Sequence, residues 1–293
     1  MSAGGLELWH AAALGLVEGV TEYLPVSSTG HLILTVELLG IGRRVDKGAI
    51  DAFSVVIQGG AILAVVGLYL PRFVSMARGV IGRDPSGLRL LGRLAVAFVP
   101  ATGLAFVLRG VIKEHLFHAW PVIAALMLGG VVMIVLDRAL IRARRGAQAG
   151  KTIDQMSLRD AMVIGLCQIA ALWPGTSRSM STIIGGVVAG LRPAAAAEFS
   201  FLLGVPVLLA ATGYELLKEF KGAAEGQPSR ILSLGAGPVA LGLVVATLSA
   251  VVAVRWLVGF LNRRGLALFG VYRLVLGGVL LGLVSAGLVR VGA

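Results

Sequence analysis

The sequence predicts an all-α polytopic membrane protein, with six transmembrane helices and two re-entrant helical hairpins arranged as an inverted-topology repeat. Three observations predict it. More than half of the residues are apolar and few are charged, a balance that suits a membrane protein rather than a soluble domain. Apolar runs of the roughly 20 residues needed to cross a bilayer recur along the whole chain. Two polar breaks also interrupt apolar stretches whose arms are too short to span, and the two breaks are alike.

The spans are expected at approximately 50–70, 88–108, 119–141, 196–217, 235–257 and 267–290. The stretch "AWPVIAALMLGGVVMIVL" is apolar all round, whereas a surface helix of a soluble domain carries one apolar stripe. Residues 6–41 and 158–191 differ. Each is an apolar arm, a break ("PVSSTGH" or "WPGTSRSMST") and a second short apolar arm. Pro, Gly and hydroxyl side chains stop a helix there. Irregular backbone at membrane depth is tolerated only where it is buried in protein or lines a wet cavity. Both regions are therefore expected to dip into the membrane and return to the same side.

The two regions also align with each other. "GLVEGVTEYLPVSSTGHLIL" lies on "GLCQIAALWPGTSRSMSTII", matching Gly15-Leu16 to Gly165-Leu166 and, after one gap, Pro25 to Pro174; downstream, Phe53-Ser54 matches Phe199-Ser200. The separation of about 150 residues divides the chain into repeats over 1–150 and 151–293, joined by the basic loop "RALIRARRGAQAGK". A hairpin plus three crossings ends on the opposite side from its start, so the second repeat enters inverted. Transporter folds use such repeats and form their sites near the midplane.

The net charge of +11 is carried by short loops between apolar segments. That is the positive-inside bias, and it implies contact with anionic lipid headgroups rather than nucleic acid. Arg72, Arg78, Arg83, Arg138, Arg142, Arg144, Arg145, Lys151, Arg159, Arg192, Arg263 and Arg264 gather on one side. The other side holds Arg43, Arg44, Lys47, Arg109, Lys113, Lys218, Lys221 and Arg230. The richer side is expected to be cytoplasmic, so that the base of the first hairpin faces outward. The single cysteine, Cys167, allows no internal disulfide and reads as a packing residue. No cleavable signal peptide is expected, because the first apolar stretch lacks a basic leader and contains Glu18 and Glu22. Gly186 and Gly190 allow close helix packing, within the chain or between two copies as a homodimer.

Chemistry concentrates in the breaks. Glu18 and Glu22 share one helix face. Two carboxylates at membrane depth are costly and repel each other. They make sense if a divalent cation bridges them or one stays protonated, and otherwise as a surface pair at a shallow helix end. Oxygen ligands favour Mg²⁺ or Ca²⁺ over zinc. Ser27, Ser28 and Thr29 open the next arm, where free backbone N–H groups bind anions, phosphate above all, or are simply capped. His31 shares that break and suits general acid–base work, while His10, His115 and His118 lack such company. In the second break Ser177, Arg178, Ser179, Ser181 and Thr182 begin another arm. An intramembrane arginine is functional by default; Arg178 suits a phosphate, or an internal ion pair with Glu18 or Glu22. Carboxylates, hydroxyls, an imidazole and an arginine meeting near the midplane would bind a polyanionic phosphate group, and in a membrane the natural carrier of such a group is a lipid.

At these residues the chain resembles the bacterial undecaprenyl-diphosphatase family, also called bacitracin-resistance proteins. "EGVTEYLPVSSTGH" and "PGTSRS" look like its two signature motifs, and the resemblance covers essentially the full length. One departure is Met180, where the family usually has glycine. The resemblance implies removal of the terminal phosphate of undecaprenyl diphosphate at the outer face of the bacterial cytoplasmic (inner) membrane. That reaction recycles the lipid carrier of cell-wall synthesis and depends on a divalent cation. Carried over by motif position, Glu18, Glu22, Ser28, His31, Ser177, Arg178 and Thr182 form the functional set. A metal on Glu18 and Glu22, phosphates held by Ser27, Thr29, Ser177, Ser179, Thr182 and Arg178, and chemistry by Glu22, Ser28, His31 and Arg178 are expected. The rival expectation is a transporter or flippase of a polyprenyl phosphate. The unrelated phosphatidate-phosphatase type is excluded, since it needs a histidine where Ile184 stands.

Overall fold

The computed structural model describes residues 6–116, 118–142, 150–225 and 229–287. Half of the basic junction between the expected repeats, residues 143–149, and the end of the last expected span lie outside the described residues. Among the described residues the regular elements are all helical: α1 (Leu8–Thr21), α2 (Ser28–Leu38), α3 (Lys47–Leu68), α4 (Leu70–Val80), α5 (Pro85–Leu116), α6 (Ala119–Leu136), α7 (Leu158–Gln168), α8 (Arg178–Val188), α9 (Pro193–Ala224), α10 (Arg230–Ser233), α11 (Ala236–Arg264) and α12 (Ala267–Ser285). The helices α3, α5, α6, α9, α11 and α12 contain six segments long and apolar enough to cross a membrane. They fall on the six expected spans, and the protein is a multi-pass membrane protein. Their outward faces carry side chains such as Leu248, Val252 and Val275, as contact with lipid tails requires.

The short arms form where expected. α1 runs into a turn over residues 22–27 and α2 follows; α7 runs into a 3₁₀ turn, Ile169–Leu172, and α8 follows after Gly175 and Thr176. Ser157 and Asp160 start α7 with a capping box. The two hairpins are built alike. Ser27 and Ser177, the residues before α2 and α8, both take φ near +75° (73° and 77°), a left-handed backbone rare outside glycine. Gly15 lies under the backbone of α11, where a Cβ would come within 2.5 Å of Gly242 O, and Gly165 lies under α5, 2.6 Å from Ala97 O. Glu18 and Gln168, about 150 residues apart like these glycines, are both buried. α6 and α12 cross at Gly130 and Gly270, each facing the other's carbonyl.

α4 was not expected. It is too short to span, and it folds back on the start of α5, with Ser75 O only 1.9 Å from where a Gly87 Cβ would stand. Asp84 ties that corner, accepting from Ser75 Oγ at 2.6 Å and from the Ser86 and Gly87 N–H groups. Several loop charges form ion pairs or close contacts. Arg72 pairs with Asp154 and Glu198, and Lys151 with Asp160, at one end; Arg44 pairs with Glu7, and Arg230 lies against Gly48, at the other. Gly186 packs inside the chain against Ala196 of α9, and Gly190 forms a turn at φ 97°. Their spacing thus serves this fold rather than marking a helix dimer face.

Candidate functional site

The two breaks meet. Glu22, at the end of α1, is buried, and its two carboxylate oxygens are divided between the hairpins. Oε1 accepts from Arg178 Nη2 at 3.0 Å, and Oε2 accepts from Ser28 Oγ at 2.6 Å. Of the alternatives open for Arg178, the ion pair with Glu22 is present. Arg178 Nη1 donates to Ser200 O at 3.1 Å, and the guanidinium lies 5.3 Å from the centre of the Tyr23 ring. Gly204 of α9 makes room for it, since a Cβ there would stand 2.5 Å from Nη1.

Three buried polar atoms around this pair have no hydrogen-bond partner among the described residues: Glu18 Oε2, Arg178 Nε and Tyr23 Oη. Buried polar groups are normally paired. A buried acceptor and a buried guanidinium donor without such partners could receive a proton, a cation or an anion. Among the described residues no three His, Cys, Asp or Glu side chains gather as a ready-made metal site. A Mg²⁺-type ion does not need one, because it binds through one or two carboxylates together with substrate phosphates and water. Glu18 and Glu22 fit that pattern.

The hydroxyls divide into two groups. Ser28 is half-buried on Glu22, and Thr29 is exposed beside it. Ser27 is buried and makes no side-chain cap. Ser177 caps α8, accepting from Met180 N at 3.2 Å. Ser179 and Thr182, expected to hold phosphate, are both 0% exposed. Ser179 Oγ donates to Tyr23 O at 2.6 Å and so joins the hairpins, while Thr182 Oγ1 bonds Arg178 O and Ser200 Oγ behind the guanidinium. Their placement braces the site. His31 bonds Ser27 O through Nδ1 (2.7 Å) and Tyr272 Oη through Nε2 (2.6 Å), so both ring nitrogens are engaged away from the Ser28 hydroxyl, which bonds Glu22. Met180 points the other way from Arg178 and packs by Gly129. The cap at Ser177 and the start of α8 form despite the bulk. Behind Met180 lies an apolar cavity of about 480 Å³ between α5, α6, α7 and α8, with Thr176 and Ser181 at its polar edge.

One residue that the sequence reading passed over is central. Arg273 of α12 is 0% exposed. It donates to Leu126 O (3.1 Å) and Ala125 O (3.0 Å) of α6, to Gly175 O (3.0 Å) of the second break and to Pro25 O (3.4 Å) of the first. One guanidinium thereby ties α6, α12 and both breaks. The signal was present: a lone arginine inside an apolar span, the same feature that singled out Arg178.

The family described as bacitracin resistance protein BacA matches residues 11–279. The chain is 44% identical over 273 residues to an undecaprenyl-diphosphatase of Sorangium cellulosum, covering 93% of this chain and 85% of that protein. It is 42% identical to one of Methylibium petroleiphilum, covering 94% and 95%. It is 43% identical to undecaprenyl-diphosphatase 2 of Rhodospirillum rubrum, covering 96% and 97%.

Proposed function

Because the chain belongs to the bacitracin resistance protein BacA family, we propose that it is a membrane phosphatase that hydrolyses undecaprenyl diphosphate to undecaprenyl phosphate and inorganic phosphate. The reaction returns the lipid carrier to cell-wall synthesis, and bacitracin resistance follows from it. The observation that carries the mechanism is Glu22, held by Arg178 on one oxygen and by the Ser28 hydroxyl on the other.

In this reading the lipid diphosphate enters a site that opens to the outer face of the bacterial cytoplasmic membrane, between two re-entrant hairpins of inverted repeats. Its tail lies in apolar space between helices, of which the cavity beside α8 is an example. Arg178 neutralises the phosphate charge, with its Nε free to donate. The backbone N–H groups at the starts of α2 and α8 add partial positive charge. Ser28 Oγ attacks the terminal phosphorus and passes its proton to Glu22 Oε2, the lone-pair partner it already has. The bond to the bridging oxygen breaks, releasing undecaprenyl phosphate, and water then frees the phosphate from Ser28. Direct attack by a water bound at Glu22 is the alternative course, and Ser28 decides between them: serine replaced by alanine abolishes turnover in the first course and spares it in the second. A divalent cation, Mg²⁺ or Ca²⁺, would be held by Glu18 and Glu22. When bound it supplies positive charge to phosphate oxygens.

The test is phosphate release from a short polyprenyl diphosphate by the purified protein in detergent, with Mg²⁺ or with EDTA. Release that EDTA abolishes supports both the phosphatase and the cation. Movement of a polyprenyl phosphate across vesicles without phosphate release would replace this reading with a flippase.

A further inference from the structure

His31 is oriented from outside its own hairpin. Ser27 O can only accept, so the 2.7 Å contact places a proton on Nδ1. The neutral ring then offers a lone pair at Nε2, and the Tyr272 hydroxyl, 2.6 Å away, donates to it. The rings lie nearly parallel, 3° apart in plane with centroids 5.7 Å apart, so the phenol meets the imidazole edge to edge through that hydrogen bond. Tyr272 belongs to α12, immediately before Arg273, and the Arg273 guanidinium sets α12 against both breaks. Tyr272 is 45% exposed, whereas its neighbour is sealed in the core. Consecutive residues of one helix therefore do two jobs: Arg273 locks the breaks together and Tyr272 reaches past them to the imidazole.

We propose that Tyr272 is a positioning residue of the site, whose hydroxyl holds His31 as the Nδ1–H tautomer with Nε2 as its proton-accepting atom. The proposal rests on the phosphatase reading. Ser28 already has Glu22 as the acceptor of its proton. His31 is therefore a second acid–base group, not hydrogen-bonded to Ser28, and its tautomer is decided by Ser27 O on one side and Tyr272 on the other. A carboxylate orienting a catalytic imidazole does the same service elsewhere; here a phenol does it from the opposite nitrogen.

Tyr272→Phe tests this directly, because it removes the hydroxyl and keeps the ring. Two measurements are made on the full-length protein in detergent. One is steady-state phosphate release from a short polyprenyl diphosphate. The other is the ¹⁵N imidazole spectrum of histidine-labelled protein, with His31→Gln to assign the His31 signals. The expected result is a fall in kcat of about 10-fold, smaller than the roughly 100-fold or more that an acid–base group itself contributes because the imidazole remains in place, with KM within about twofold, and a shift of the His31 Nε2 signal. Unchanged kcat, or a fall in kcat with unchanged His31 signals, overturns the proposal. If the wild-type protein releases no phosphate under any condition, the phosphatase reading itself fails, and the role of Tyr272 in that reaction fails with it. A shifted His31 signal in that case still shows that the hydroxyl orients the ring, so the two failures are told apart. Tyr272→Leu, lacking both ring and hydroxyl, should shift the same signal further.

Discussion

Replacing Arg273 by methionine should separate the stability of the bundle from the assembly of its site. Methionine keeps the length and apolar stem but removes all four donor contacts. Two of the acceptors, Ala125 O and Leu126 O, lie inside α6, where the N–H four residues on still serves them. The carbonyls at stake are those of the breaks. A hydrogen bond from a charged donor contributes about 1.5–3 kcal/mol. Gly175 O, at 3.0 Å, belongs in that range, and Pro25 O, at 3.4 Å, contributes less. Removing a guanidinium buried without a carboxylate bonded to it among the described residues relieves part of its desolvation, which offsets some of the loss. The net cost is about 2 kcal/mol. The effect on activity should be larger. Gly175 lies two residues before Ser177 and three before Arg178, and a misplacement of about 1 Å can cost on the order of 100-fold in rate. The assay pairs phosphate release with thermal unfolding in detergent. The reasoning predicts a loss of about 100-fold in release with Tm lowered by only a few degrees. A variant with reduced Tm and wild-type release would refute it, since the guanidinium would then hold the bundle and not the site.

Three further outcomes follow from the packing. Gly129→Ala puts a Cβ 2.5 Å from Arg273 Nη2 and 2.8 Å from Met180 Sδ. It should cost about 1–3 kcal/mol as overpacking does, seen as a lower Tm, and the added change Met180→Gly should recover part of it. Gly204→Ala places a Cβ 2.5 Å from Arg178 Nη1. Because a guanidinium tip can move, activity should fall by about tenfold or more while Tm changes little, and equal losses of both would count against a dedicated Arg178 pocket. The hydroxyl of Ser75, joined by Ser86 and by the Gly87 N–H, holds the Asp84 carboxyl below the usual aspartate range. A depressed carboxyl contributes stability above its unfolded pKa and loses it as pH falls through the folded one. The Tm difference between wild type and Asp84→Ala should therefore be full near neutrality and vanish in strong acid; a difference that persists there would contradict the pairing.

The transmembrane helices were legible because length and apolarity together decide a span, and the breaks were legible because Glu18, Glu22, His31 and Arg178 have no reason to sit in apolar stretches unless they meet. α4 was not legible: Leu70–Val80 is short and of mixed polarity, and it is held by its packing on α5 and by the ion pairs of Arg72 with Asp154 and Glu198, which lie far off in sequence. The division of labour among the hydroxyls was not legible either. Ser28, Ser179 and Thr182 look alike in a motif, but which of them turns toward Glu22 and which is sealed behind Arg178 depends on how α8 packs on α9 and on the first break. Arg273 could have been found by the rule that found Arg178, but that rule does not reach Tyr272, and the partners of both are more than 90 residues away in sequence, so no local pattern announces them.

The central claim is that one site is made by both hairpins, through Glu22 of the first and Arg178 of the second. The most direct measurement is phosphate release from a short polyprenyl diphosphate by Glu22→Gln and Arg178→Ala proteins, each shown to be folded by its Tm and elution in detergent. The account predicts that each single change removes nearly all release and that the double variant is no worse than either, because the two residues act as a unit. Substantial release by either folded variant would contradict it.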